Sequence, residues 1–130
     1  ELTRTNKDDK MVRQVQNAWP NVFREARFIP AVEYINANRA RTLLNQKMAI
    51  LMETIDVYLI PSFYGDNLLR TNLTGHPCVI VPNGFNNKGR PTSISFIGDL
   101  YEDGNVLAMA KAYQETTDWH KQYPPKFKVE

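Results

Sequence analysis

Apolar and polar positions along the chain repeat at two periods, 3.6 and 2, and the stretches carrying them are cleanly punctuated. From Pro30 to about Thr54 the pattern is helical: Tyr34, Ala37, Leu44, Met48, Met52 and Ile55 fall on one face, with Leu51 beside them. Val32, Leu43 and Ile50 fall on the opposite side, so the wheel predicts a long helix sandwiched inside a larger fold. Pro30 suits its first turn. An earlier helix is expected from a cap at Asp8 or Asp9 through Met11, Val12, Val15 and Ala18. Pro20 permits a break, and a short turn follows through Val22, Phe23, Ala26 and Phe28, with Trp19 and Phe23 as core anchors.

The second half reads as strands between helices. Asp56–Pro61 is a short strand stopped by its proline, and Ser62 to Asn67 is an irregular loop. Asp66 or Asn67 is placed to cap a short helix ending at Gly75, where a C-cap needs positive φ, and Pro77 forbids its continuation. Cys78–Val81 is a bare apolar run of strand length. Pro82 to Pro91 holds two Gly, three Asn and two Pro and reads as a long turn. Thr92–Ile97 then alternates with period two, as a half-buried strand does. Asp103 can cap a last helix with the stripe Val106, Leu107, Ala110 and Tyr113, which Thr117 ends and Pro124-Pro125 closes off. Helices alternating with short apolar strands give the fold class α/β. The domain reading is a flexible segment over 1–8, one folded region over 9–125 and a tail over 126–130.

Composition adds mostly exclusions. At 130 residues, 42% hydrophobic and 23% charged, the chain is ordinary for a soluble globular protein. Its 16 Lys and Arg are interspersed with 14 acids, for a net charge of +2, which is no nucleic-acid footprint. No apolar run approaches the roughly 20 residues of a membrane span. One cysteine, Cys78, excludes an internal disulfide framework, and its strand marks it as an inert core residue. The sequence begins with no initiator Met and no signal peptide pattern, which hints at a processed or truncated chain.

Candidate chemistry is thin. His76 and His120 stand 44 residues apart without a metal-ligand neighbour, and His76 reads as a packing or hydrogen-bonding residue. No nucleophile elbow, phosphate loop or dinucleotide fingerprint occurs, and no base stands near Ser62, Ser93 or Ser95 in sequence. No metal or cofactor is expected. Arg41 lies within the apolar face of the long helix, where a charge needs a carboxylate or carbonyl partner.

Taken in order, several stretches resemble the C-terminal part of amidase-signature enzymes. They are Arg41-Thr42-Leu43, Asp56-Val57-Tyr58-Leu59-Ile60-Pro61-Ser62, Asn72-Leu73-Thr74-Gly75-His76-Pro77 and Val79-Ile80-Val81-Pro82-Asn83-Gly84-Phe85. Arg90-Pro91-Thr92-Ser93-Ile94, Gly98 before a helix, and Thr116-Thr117-Asp118-Trp119-His120 complete the set. The likeness covers roughly residues 20 to 125.

The resemblance implies the C-terminal part of that family's fold, mixed sheet strands flanked by helices in an incomplete domain. It implies C–N bond hydrolysis or amide transfer by a Ser–cis-Ser–Lys triad. This chain has neither the family's Gly-Ser-Ser-Gly-rich motif nor its lysine segment, so no catalytic residue is expected in it. The substrate-pocket candidates carried over are Arg41, Asp66 and Asn72. The implied partners are the missing N-terminal part of the same enzyme and a small amide substrate, with a homo-oligomer as a further possibility. Two alternatives stand beside this reading: a non-catalytic binding or assembly module, and a piece of a glutamyl-tRNA amidotransferase A subunit. Substrate and compartment stay open, the latter between cytoplasm and bacterial periplasm.

Overall fold

A computed structural model describes residues 1–124 and 127. The expected boundary at 125 and the tail residues 126 and 128–130 lie outside the described residues. The chain divides into two compact units, 1–40 and 41–130.

Up to Ala18 the first unit is irregular chain with short turns. Helix α1 is Trp19–Glu25, with Pro20 near its start, followed by a single helical turn, Ala26–Phe28. The helix expected over Met11 to Ala18 does not form: one turn at Asp8–Lys10 is followed by irregular chain with Arg13 and Asn17 at positive φ. Its stripe has nothing to pack against, Val12 and Val15 being 87% and 67% exposed, and an unsupported helix of about ten residues is marginal. Asp8 caps no helix. Its carboxylate accepts from Arg24 Nε at 2.5 Å, and Gln14 Nε2 donates to its carbonyl. Trp19 and Phe23 stack on each other at 5.5 Å, yet both are exposed, so they anchor no core among the described residues.

Helix α2 is Ala31–Met52, the long helix the pattern predicts. Its two-sided burial is not realised. Met48 and Met52 are buried, whereas Val32, Leu43, Ile50 and Leu51 lie open because no described element covers them.

In the second unit, strand β1 (Val57–Pro61) leads to helix α3 (Asn67–Thr74), then β2 (Cys78–Phe85), β3 (Pro91–Gly98) and helix α4 (Asp103–Thr117). The sheet order is β1-β3-β2. β1 and β2 run the same way, but each pairs antiparallel with β3, so the mixed pairing expected does not occur among the described residues. Strand β2 runs four residues further than expected, through Phe85, because the ladder resumes at Phe85↔Pro91 after an irregularity. The turn shrinks to Asn86–Arg90, where the Asn86 side chain accepts from the Lys88 and Arg90 amides.

The core lies between the sheet and α4. Val81, Phe96, Val106 and Ala110 are buried together, with Val57, Val79, Ile94 and Tyr113 packed around them. Leu107, assigned to the stripe, faces out instead at 57% exposure. Gly98 explains how close α4 comes: a Cβ there would stand 2.3 Å from Val106 Cγ2. Phe96 and Ile97 are both buried although successive strand residues face opposite ways, so the sheet is covered on both sides there. Helix α4 ends at Thr117, with Asp118 as its left-handed C-cap six residues before Pro124. The following turn, Trp119–Lys121, lays its indole over Gly84.

Candidate functional site

The functional question centres on α3 and the strands it touches. The helix starts after Asp66, which occupies the N-cap position without a side-chain cap, and ends where Gly75 at φ +83 returns its N–H to the Thr71 carbonyl. It is tied to β1 by Tyr58 Oη donating to Asn67 Oδ1 at 3.0 Å, with Asn67 buried. Burial raises the Tyr58 phenol above its ordinary value, while Arg70 works the other way.

Arg41 sits in the second unit, at the other end of α3. Its Nε donates to the Leu73 carbonyl at 2.5 Å, one of the last-turn carbonyls that a helix leaves unpaired. A cation there also opposes the negative end of the helix dipole. Asn72, next to Leu73, is exposed on the same helix. Asp66 lies seven residues from Leu73, about 10 Å along a helix axis. Arg41 and Asn72 thus gather at one end of α3 and Asp66 at the other.

Sequence reading missed a hollow on the sheet face away from α4. It is lined by Ser62, Phe63, Asn67, Leu68, Thr71, Cys78, Ile80 and Ser95. Ser62 and Ser95 are 33 residues apart in sequence, but their hydroxyls meet at 2.9 Å. The signal that could have found this pair is strand register: β1 pairs Ile60 with Ser95, and the Ser62 N–H continues the ladder to the Ser93 carbonyl. Cys78 is exposed rather than a core residue. Desolvation still pushes its thiol up, against a weaker opposing hydrogen bond from Ser95. Among the described residues no lysine, histidine or carboxylate lines the hollow. Its described lining can hydrogen-bond a neutral group, and none of those residues is a base for a serine or the thiol. Among the described residues no three metal-ligating side chains converge, and no helix is long and apolar enough to cross a membrane.

His76 is the buried histidine. Thr74 Oγ1 donates to the Arg70 carbonyl at 3.0 Å and lies 2.8 Å from His76 Nδ1. Burial lowers the imidazole pKa, and Asp99 offsets part of that effect. The expectation of a packing and hydrogen-bonding role holds.

No family model matches the chain. The sequence is similar to proteins named as the A subunit of glutamyl-tRNA(Gln) amidotransferase. With that of Rippkaea orientalis it shares 30% identity over 111 residues, covering 71% of this chain and 23% of the relative. With that of a Synechococcus species it shares 34% over 110 residues, covering 71% of this chain and 21% of the relative. The crystal structure of the same-named protein from Thermotoga maritima has a similar fold: TM-score 0.52 and 21% identity, covering 87% of this chain and 30% of that one. The chain spans about a quarter of the length of the relatives it matches, in their C-terminal portion.

Proposed function

This chain belongs to the amidase-signature family, as part of its C-terminal portion, and on that premise we propose that it is the scaffold section of an amide-processing enzyme. The chain supplies sheet, flanking helices and part of a pocket wall, and is inactive alone. C–N bond chemistry in the parent is carried by a Ser–cis-Ser–Lys triad in its N-terminal part. Arg41, Asp66 and Asn72, at the two ends of α3, are the residues offered to the substrate.

The observation that carries this reading is the match to about a quarter of much longer relatives by a piece with uncovered apolar faces. Leu43, Ile50 and Leu51 on α2 and Leu68 and Ile80 beside the hollow stand open. The backbone is open as well. Since the Ser62 N–H reaches Ser93 and the Gly98 N–H reaches Pro77, the antiparallel register turns Val57 and Leu59 of β1 and Cys78 and Ile80 of β2 away from β3. These are the faces and edges that the rest of the enzyme would cover. They also weigh against an independent binding module.

The test is turnover of small primary amides by this chain and by the full-length parent. Turnover by the parent and none by the 130 residues is expected; turnover by the chain alone overturns the proposal. A second reading is favoured by the names of the relatives: a piece of the A chain of an amidotransferase that works on charged tRNA within a multi-chain complex. It predicts that the parent transfers amide groups only when its partner chains and tRNA are present.

A further inference from the structure

His76 has no part in the proposed function beyond packing and hydrogen bonding, and its surroundings are unusual. It follows the left-handed cap of α3 and leads into β2, with its side chain 1% exposed. The Thr74 hydroxyl proton is committed to the Arg70 carbonyl, so its oxygen accepts from the imidazole and the Nδ1–H tautomer is fixed. Nε2 therefore carries a lone pair, buried and with no hydrogen-bond partner among the described residues. It faces Asp99 Oδ1 at 3.8 Å, beyond hydrogen-bond range. Asp99 is the first residue after β3, half-exposed, and the same oxygen accepts the Leu100 N–H at 2.8 Å.

A buried lone pair opposite a carboxylate is poorly satisfied; a proton between them would convert that arrangement into a charge-assisted hydrogen bond. We propose that His76 and Asp99 form a proton-operated latch joining the entrance of β2 to the loop that leaves β3. Solvent hydronium gives its proton to the Nε2 lone pair and leaves as water, and the imidazolium is held between the Thr74 hydroxyl and the Asp99 carboxylate. Closing the latch requires Asp99 to approach by about 1 Å to reach hydrogen-bond distance, and Leu100 moves with it. Leu100 already lies against the α3 cap, its Cδ2 3.8 Å from where a Gly75 Cβ would stand. The loop continues through Tyr101, held at positive φ, into the start of α4.

Around the imidazole, from α3 come the Thr74 hydroxyl and the Arg70 carbonyl, and from the loop the Asp99 carboxylate, the one ion-pair partner of His76 among the described residues. Cys78 is the next titratable group along β2, and Glu102, where α4 begins, is bonded to Asn105. Burial opposes the proton more than Asp99 favours it, so the latch is open at neutral pH and closes on the acid side of the ordinary histidine value.

Two-dimensional NMR of the full-length parent, isotope-labelled at histidine and leucine, across a pH series tests the latch. The expected result is that the Leu100 amide shifts with the same midpoint as the His76 imidazole carbons, below pH 6.5 or so. In Asp99→Asn the His76 midpoint falls further and the Leu100 response disappears. A Leu100 amide that ignores the His76 titration, or a His76 midpoint that rises in Asp99→Asn, overturns the proposal. The wild-type comparison decides by itself if the variant does not fold.

Discussion

Gly98 and His76 show how single residues set limits on this fold. Gly98→Ala drives a methyl group into Val106, which has no room to retreat because it is fully buried. Overpacking of this kind costs about 1–3 kcal/mol, so a urea melt of the variant is expected at a correspondingly lower midpoint. His76 has a predictable acid signature. Burial depresses its folded pKa, so the unfolded chain takes up the proton first. Stability is full above the unfolded value of about 6.5 and is lost as pH falls toward the folded value. His76→Asn keeps a donor for Thr74 and removes the titration, so urea midpoints measured over a pH series are expected to lose this part of their acid-side decline. Arg41 differs from both, since its partner is a backbone carbonyl at a helix end and not a buried carboxylate. Arg41→Met therefore loosens the last turn of α3 without stranding a charge. Faster amide exchange at Gly75 than in the parent sequence is the expected readout.

At the scale of elements, the strands and helices of the second unit were legible because their punctuation is local. Pro61, the Gly75–Pro77 pair and the alternation through Ile97 fix boundaries that the structure places within a residue or two. The exception is the end of β2, where Pro82, Asn83 and Gly84 look like turn residues yet remain in the strand. Partner geometry decides there. Thr92 Oγ1 donates to the Asn83 carbonyl, and the Tyr113 hydroxyl donates to the Asn83 side chain, neither of which a single segment reveals. The early helix failed for the converse reason: spacing alone was adequate, but no described surface receives it. The Ser62–Ser95 hollow was illegible until strand register brought the two hydroxyls together. Tyr58 ties β1 to α3 across a sequence gap of its own. Tyr58→Phe leaves the buried Asn67 acceptor unpaired, and such a loss costs about 1–3 kcal/mol. Chemical denaturation with α3 amide exchange in parallel should show both a lower midpoint and earlier opening of that helix.

For the whole molecule, the ordered motif set identified the family when no single stretch could, and the similarity to much longer relatives agrees with it. What sequence reading misjudged was burial: a helix apolar on two sides was expected to be sandwiched, and here Met48 and Met52 on one side are buried while Val32, Leu43 and Ile50 on the other are open. On the proposed reading, the remaining part of the enzyme would cover the open side. An α2 with Leu43, Ile50 and Leu51 exposed, and a sheet whose two edges are unpaired among the described residues, should not remain solitary at rising concentration. Sedimentation velocity over a concentration series, with a dye for exposed apolar surface in parallel, tests the central claim most directly. Concentration-dependent association with dye binding is the predicted result. A monomer at every concentration that binds no dye and melts in one cooperative transition would contradict it.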